Sequence, residues 1–284
     1  MIGRPAFWVW AIACALGGFI TISTLAPQAL VFQPGTIIGL SVLVPLTVLG
    51  SWLFHRIRPV REQSVWYAFA ALVWGGTGAF GVAFVANTAF SGLVAKLVGP
   101  EFADIWGDAA FAPIDEELAK VAGVALIALM APRVVTGPLA GFGFGALVGL
   151  GFQVVEDLLY VFNTIIVSGG VQEVNDTLTT LFARVGLSAW WSHWAMTAVS
   201  GAGLGYLAGR TERPLAWRVT VFAGALVLAM MMHAWWDAPV LQGAFLVKGA
   251  PLLAVAIIVF LLARRDQRLH AARLAALAGT VPTG

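Results

Sequence analysis

Four apolar stretches of the chain contain ionisable residues, and these residues are where the sequence could carry out chemistry. A charged side chain at the centre of a bilayer costs about 3 kcal/mol, so those that persist usually face a cavity and have a function. The four groups are Asp115-Glu116-Glu117 with Lys120, Phe152 with Glu156-Asp157, His193, and His233 with Asp237.

The spacing within these groups predicts which side chains meet. Glu116 and Lys120 are four residues apart and so share one face of a helix, with Glu117 about 100° around it. We expect the lysine to pair with Glu116 or Glu117, because an ammonium group in apolar surroundings keeps its charge only beside an anion. His233 and Asp237 are also four residues apart, so the aspartate can orient the imidazole.

The combination of imidazoles and carboxylates suits a catalytic divalent metal, and the ligand types favour Zn²⁺. Two histidines and one glutamate with an open position for water form a known zinc site, and the metal activates that water. We expect Glu156, His193 and His233 to be the ligands and Glu116 to be the general base. A metal-free scheme, in which Glu116 activates water directly and a histidine assists the oxyanion, fits the residues almost as well.

Composition identifies the elements that must position these residues. Hydrophobic residues make up 60% of the 284 residues and charged residues only 11%, about half the charged share of a soluble domain. Apolar runs of about 20 residues recur along the chain, which is typical of transmembrane helices. The sequence therefore predicts an all-α polytopic membrane protein in the cell membrane with the lipid bilayer around it. No nucleic-acid motif is present, and we expect no nucleic-acid partner.

The breaks between apolar runs predict about eight transmembrane helices in a single domain, residues 1–284. The predicted spans are residues 6–32, 36–54, 65–90, 110–131, 138–162, 185–208, 217–240 and 246–263. Residues 1–109 hold the first three spans and no catalytic motif. Residues 110–240 hold the four spans with motifs, and residues 241–284 hold the last span and a basic cytoplasmic tail.

The basic residues predict the orientation of these spans. With a cytoplasmic N-terminus, 12 of the 16 lysines and arginines fall in inside segments, as the positive-inside rule requires for eight spans with both termini cytoplasmic. In this arrangement Glu116, Glu156, His193 and His233 lie six to eight residues from the outer ends of their spans. We therefore expect a single site in the outer half of the membrane.

The order of the motifs resembles that of the PrsW-type intramembrane proteases. The residues that carry the resemblance are Glu116-Glu117-x-x-Lys120, Phe152-x-x-x-Glu156, His193 and His233-x-x-x-Asp237, within residues 113 to about 240. The PrsW type is similar in turn to the CAAX prenyl endopeptidase and bacteriocin-processing group.

The resemblance implies a role for each of these residues. It makes Glu116 the water-activating residue, supported by Glu117 and Lys120. It makes Phe152 a motif residue beside Glu156 and places a supporting basic residue at Arg184. Asp237 closes the last motif.

The sequence thus predicts an intramembrane endopeptidase, of the metallo- or glutamate type, that cleaves membrane-associated proteins. One alternative is a proton- or ion-coupled carrier, whose intramembrane glutamates and histidines would relay protons. A carrier of this kind predicts an inverted repeat, and the sequence contains no obvious one. A second alternative is an inert scaffold with the same fold.

Overall fold

The computed structural model describes residues 2–279, and within them the chain is helical with no β-strand. The last five residues of the predicted cytoplasmic tail, 280–284, lie outside the described part. The helices in chain order are α1 (Pro5–Val31), α2 (Gln33–His55), α3 (Arg58–Arg61), α4 (Val65–Trp74), α5 (Phe80–Leu97), α6 (Pro100–Met130), α7 (Pro138–Val167), α8 (Glu173–Leu181), α9 (His193–Gly209), α10 (Leu215–Asp237) and α11 (Phe245–Gly279). Two π-helical segments, Gly75–Ala79 and Phe182–Leu187, follow α4 and α8.

Within residues 2–279, six helical segments are long and apolar enough to cross a membrane, so the chain is a multi-pass membrane protein. They are α1, α2, the continuous α4–α5 segment, α7, α10 and α11. Two other long helices, α6 and α9, are not in this group: α6 is less apolar, and α9 has fewer turns. Helix α6 contains Asp115, Glu116, Glu117 and Lys120, and α9 has only 17 residues.

Helix α7 is the central element of the bundle. Residues 138–153 are buried without interruption, and α2, α3, α4, α6, α9 and α11 all pack on this helix. A helix that is apolar all round is expected at such a position, since it has no face exposed to water. Helix α7 therefore sets the position of the two site residues near its far end, Glu156 and Asp157.

The contact between α7 and α9 is close because glycines lie on both sides of it. A Cβ atom added at Gly149 would lie 2.4 Å from the carbonyl oxygen of His193, and one added at Gly141 would lie 2.1 Å from that of Gly201. Small residues allow such backbone approach in membranes. The glycines of the sixth and fifth predicted spans thus place the first turn of α9, with His193, against α7.

Two predicted boundaries differ in the structure from those that the sequence indicated. The predicted outer loop 91–109 is almost entirely helical, because α5 runs to Leu97 and α6 begins at Pro100. The predicted sixth span, 185–208, is also different: residues 188–192 form turns, and α9 begins only at His193. His193 is therefore the first residue of its helix and does not lie eight residues inside a span.

We expect Gly149→Ala to destabilise the protein by about 1–3 kcal/mol, the usual cost of overpacking a tight contact. The new methyl group would meet the His193 carbonyl, and α9 would have to move away from α7. Thermal unfolding of the purified protein in detergent measures this loss. Gly224→Ala on α10 is the control, since nothing lies within 4 Å of its added Cβ. Equal melting temperatures for the two variants would contradict this account of the α7–α9 contact.

Candidate functional site

Helix α6 contributes a buried cluster of two carboxylates and one ammonium group. Lys120 Nζ lies 2.6 Å from Glu117 Oε1 and 3.3 Å from Glu116 Oε2, so the lysine pairs with both acids. Lys120 and Glu117 are fully buried, and Glu116 is 3% exposed. A hydroxyl from α9 completes the cluster, because Thr197 Oγ1 donates to Glu117 Oε2 over 3.3 Å.

His193 occupies the first position of α9 and uses both ring nitrogens. Its Nδ1 lies 3.0 Å from Lys120 Nζ, and its Nε2 lies 2.8 Å from Glu156 Oε2. The ring of Phe152 packs beside the imidazole, with 5.1 Å between centroids, and also lies 4.4 Å from Lys120 Nζ. Phe152 thus packs against both the lysine and the histidine.

His233, on α10, lies between two carboxylates. Its Nδ1 is 3.2 Å from Glu117 Oε1, and its Nε2 is 3.2 Å from Asp237 Oδ2 and 3.7 Å from Glu116 Oε2. The Nδ1 contact is close but not aligned as a hydrogen bond, and among the described residues Nδ1 has no other hydrogen-bond partner. Two acids can therefore orient this imidazole, of which the sequence indicated only Asp237.

Arg184 forms ion pairs with both acids at the end of the α7 motif. It extends from the π-helical segment Phe182–Leu187, and its guanidinium group contacts Glu156 through Nη2 and Asp157 through Nε. The same group stacks 3.9 Å from the ring centroid of Tyr160. Arg184 and His193 thus both contact Oε2 of Glu156, and the arginine fixes this carboxylate beside the histidine.

Asn87 is a site residue that the sequence reasoning missed. It lies on α5, in the part of the chain where we expected no catalytic motif, and its Nδ2 donates to Glu116 Oε1 over 3.0 Å. Its Oδ1 is buried with no hydrogen-bond partner among the described residues. A lone asparagine in an apolar span has the residue type of a polar site, but nothing in its spacing connects it to the four motifs.

The charged side chains open onto a cavity of about 330 Å³. Glu116, Glu156, His193, His233 and Asp237 all line it, whereas Glu117 and Lys120 lie behind them. Other side chains around the cavity come from α5, α6, α7 and α10 and include Phe84, Asn87, Asp108, Tyr160, Asn163 and Trp236. The cavity therefore brings together the four motifs that the sequence placed on separate spans.

Three of these residues form a group that could hold a metal ion. Ligand atoms of Glu116, His193 and His233 all lie within 4.8 Å of one another, and all three side chains are buried. One carboxylate and two imidazoles with room for water are a zinc-type donor set. Charge also favours a cation here. Five carboxylates of the site form ion pairs, but only two of their partners, Lys120 and Arg184, carry a permanent positive charge.

The lysine sets a condition on that fit. Its ammonium lies 3.0 Å from His193 Nδ1 and 3.3 Å from Glu116 Oε2, and a metal on those atoms would repel it. Glu117 is its closest partner and lies on the side away from the cavity. The donor set therefore accommodates a divalent ion when Lys120 keeps its contact with Glu117 and releases His193.

The fold and the site together define a multi-pass helical membrane protein with a buried Glu-His-His group beside a polar cavity. Residues 63–264 match the family model described as PrsW family intramembrane metalloprotease. This match covers more than half of the chain, and the protein belongs to that family of membrane-embedded proteases. The resemblance to the PrsW type is thereby confirmed over a longer segment than the motifs indicated. No curated protein and no solved structure matches the chain significantly.

We expect Lys120→Met to destabilise the protein by about 3–5 kcal/mol, because it leaves a buried carboxylate without its cation. The double variant Lys120→Met/Glu117→Gln should recover part of this loss, since it removes the unpaired charge as well. Detergent-induced unfolding of the purified proteins measures both changes. Lys96→Met, at an exposed position of α5, is the control and should unfold like the native protein. A Lys120→Met variant of native stability would show that Glu117 does not depend on the lysine.

Proposed function

We propose that this protein is an intramembrane endopeptidase that hydrolyses a peptide bond of a membrane-associated or single-span protein. The observation that carries the proposal is the Glu116–His193–His233 group beside a cavity inside a helical membrane protein. The family match supports the reaction class. The geometry also favours a peptidase over a carrier or an inert scaffold, because the ionisable residues of the four motifs converge on one group.

Within this group, the geometry favours an exchange of two roles relative to the sequence prediction. Glu116 Oε2 lies within 3.8 Å of both imidazoles, whereas Glu156 is held by Arg184 and contacts only His193. We therefore propose Glu116, His193 and His233 as the residues that would hold the metal. Glu156, at the edge of the cavity, becomes the candidate for the acid that accepts a proton from water.

The remaining motif residues position this group. Glu117 faces Nδ1 of His233, so it can fix the tautomer that leaves Nε2 free, the usual arrangement of a metal-bound histidine and its supporting carboxylate. Lys120 neutralises Glu117, and Asn87 holds the second oxygen of Glu116. A divalent ion, Zn²⁺ by its ligands, would supply a polarised water and a Lewis acid for the scissile carbonyl.

The proposal includes eight spans, with both termini cytoplasmic and the site in the outer half of the membrane. The motif-bearing α6 and α9 would be the two spans beyond the six apolar ones. In the positive-inside pattern, the arginine-rich segments lie on the same side of the membrane as the start of α1. An even number of spans keeps these segments together on that side. The relation to the CAAX prenyl endopeptidase group remains a prediction, supported by the order of the motifs.

Metal content separates the two assignments of Glu116 and Glu156. If Glu116 is a ligand, Glu116→Gln should bind at least tenfold less zinc than the native protein, while Glu156→Gln should keep its zinc and lose cleavage. The measurements are elemental analysis of purified protein loaded with zinc and profiling of new N-termini in membranes from producing cells. Asp115→Asn, next to Glu116 but outside the cavity lining, is the control.

Each outcome of that comparison has a distinct meaning. Zinc loss in Glu156→Gln but not in Glu116→Gln would restore the roles predicted from the sequence. Negligible zinc in every protein, with cleavage lost only in Glu116→Gln, would indicate a glutamate-type peptidase. Cleavage unaffected by either change would overturn the proposed site.

Asn87→Ala should lower kcat about tenfold or more with little change in stability. The amide orients Glu116 through a single hydrogen bond, and a misplaced catalytic group costs rate rather than folding. The measurement compares turnover of a reporter identified by the N-terminus profiling, together with the melting temperature. Ser91→Ala, one turn further along α5 and exposed, is the control. Native turnover in Asn87→Ala would contradict a positioning role.

A further inference from the structure

A second large cavity lies at the other end of the bundle, far from the Glu116 site. This arginine groove has a volume of about 710 Å³ and is formed by the end of α2, by α3, by the start of α7 and by the second half of α11. Leu139 in the groove and Glu156 in the site are 17 residues apart on α7, which corresponds to about 25 Å along the helix. The groove is therefore separate from the site described above.

Four arginines line the groove without acidic partners. Arg56 and Arg58 lie on one wall, and Arg264 and Arg268 lie on the other. Among residues 2–279, none of these guanidinium groups lies within 4.0 Å of a carboxylate oxygen, and Glu62 is the one acid among the lining residues. Four cations without paired anions form a site of positive potential that favours an anionic ligand.

Apart from Glu62 and Gln267, the rest of the groove is apolar. Leu53, Ile57, Pro59, Leu139 and Phe260 line it between the arginines. A soluble phosphate compound has no acyl chain to contact these apolar side chains, whereas a phospholipid presents a phosphate and acyl chains together. The guanidinium fork binds phosphate oxygens in a bidentate manner, and the apolar side chains would contact the first carbons of the acyl chains.

The groove also lies at the correct level for a lipid headgroup. Helix α2 ends at His55, α7 begins at Pro138, and α11 passes from its apolar run into Arg264 and Arg265. Three spans thus leave the hydrophobic layer together. Basic pockets between transmembrane helices at this boundary are a recognised way of holding anionic lipid headgroups.

A buried ion pair keeps the second wall in place. Arg210, at the end of α9, is 2% exposed and donates to Asp266 of α11 over 2.7 Å from Nε and 2.5 Å from Nη2. It also donates to the carbonyl of Thr136 over 3.0 Å. This clamp fixes the part of α11 between Arg264 and Arg268, so both arginines are preorganised toward the groove.

We propose that the arginine groove is a binding site for an anionic phospholipid, whose phosphate is held by Arg56, Arg58, Arg264 and Arg268. The lipid would bridge α2–α3 and α11, which otherwise meet through α7. It would thereby stabilise the bundle at the end opposite the Glu116 site.

The test compares lipids and charge-matched variants by thermal unfolding of delipidated full-length protein. Phosphatidylglycerol should raise the melting temperature more than phosphatidylcholine with the same acyl chains, and inorganic phosphate should not raise it. In Arg56→Gln/Arg264→Gln/Arg268→Gln the apparent affinity for phosphatidylglycerol should fall roughly tenfold or more. Arg133→Gln/Arg213→Gln/Arg273→Gln removes the same charge at exposed positions outside the groove and should keep the native response.

Three results would overturn the proposal. An equal loss in both triple variants would show that attraction to the anionic lipid is diffuse. An equal stabilisation by inorganic phosphate would assign the groove to a free anion. No preference for phosphatidylglycerol over phosphatidylcholine would remove the site. If the groove variant does not fold, Arg268→Gln alone, with bound phosphatidylglycerol counted by native mass spectrometry, provides the same comparison with Arg273→Gln.

Discussion

The buried contact between Lys120 and the two glutamates of α6 is the constraint on which the rest of the site depends. Charges within a membrane protein are stable only when each has a partner and a place shielded from lipid. The lysine meets this requirement on its own helix through Glu117 and Glu116. The remaining acids also need partners, and these must come from other parts of the chain. His193, His233 and Arg184 therefore lie against α6 and α7.

This requirement explains why the site is layered. Glu117 and Lys120 lie behind the cavity and neutralise each other, while Glu116, the two histidines and Glu156 face it. The outer layer has more acid than fixed base, and the inner layer determines which atoms of the outer layer stay free. A cation held by Glu116, His193 and His233 would offset the excess negative charge of this outer layer.

The sequence predicted much of this arrangement, because charged residues in apolar runs are few and their spacing on a helix is fixed. The pairs Glu116–Lys120 and His233–Asp237 are consequences of helical periodicity alone, and both contacts are present. What periodicity cannot give is the relation between helices. No ionisable residue lies at helical spacing from Asn87 to mark it as part of the site. The place of Glu117 beside His233 depends on how α6 and α10 are rotated about their axes. The start of α9 at His193 depends on the close approach of α7, which a hydropathy profile does not record.

The two helices that fail the apolar criterion for a span are those on which the site depends most. Helix α6 is too charged and α9 too short, and both defects follow from the chemistry. Asp115, Glu116, Glu117 and Lys120 make part of α6 charged. The non-helical residues 188–192 before His193 let the imidazole enter the cavity from the end of a helix rather than from its side. Helix α9 is instead covered by protein, since α7 and α10 pack against it, whereas α6 packs against α5, α7 and α10 and keeps exposed apolar residues such as Ile114 and Leu118. The apolar helices thus supply most of the membrane anchoring, and the non-helical residues 188–192 come directly before His193, which lines the cavity.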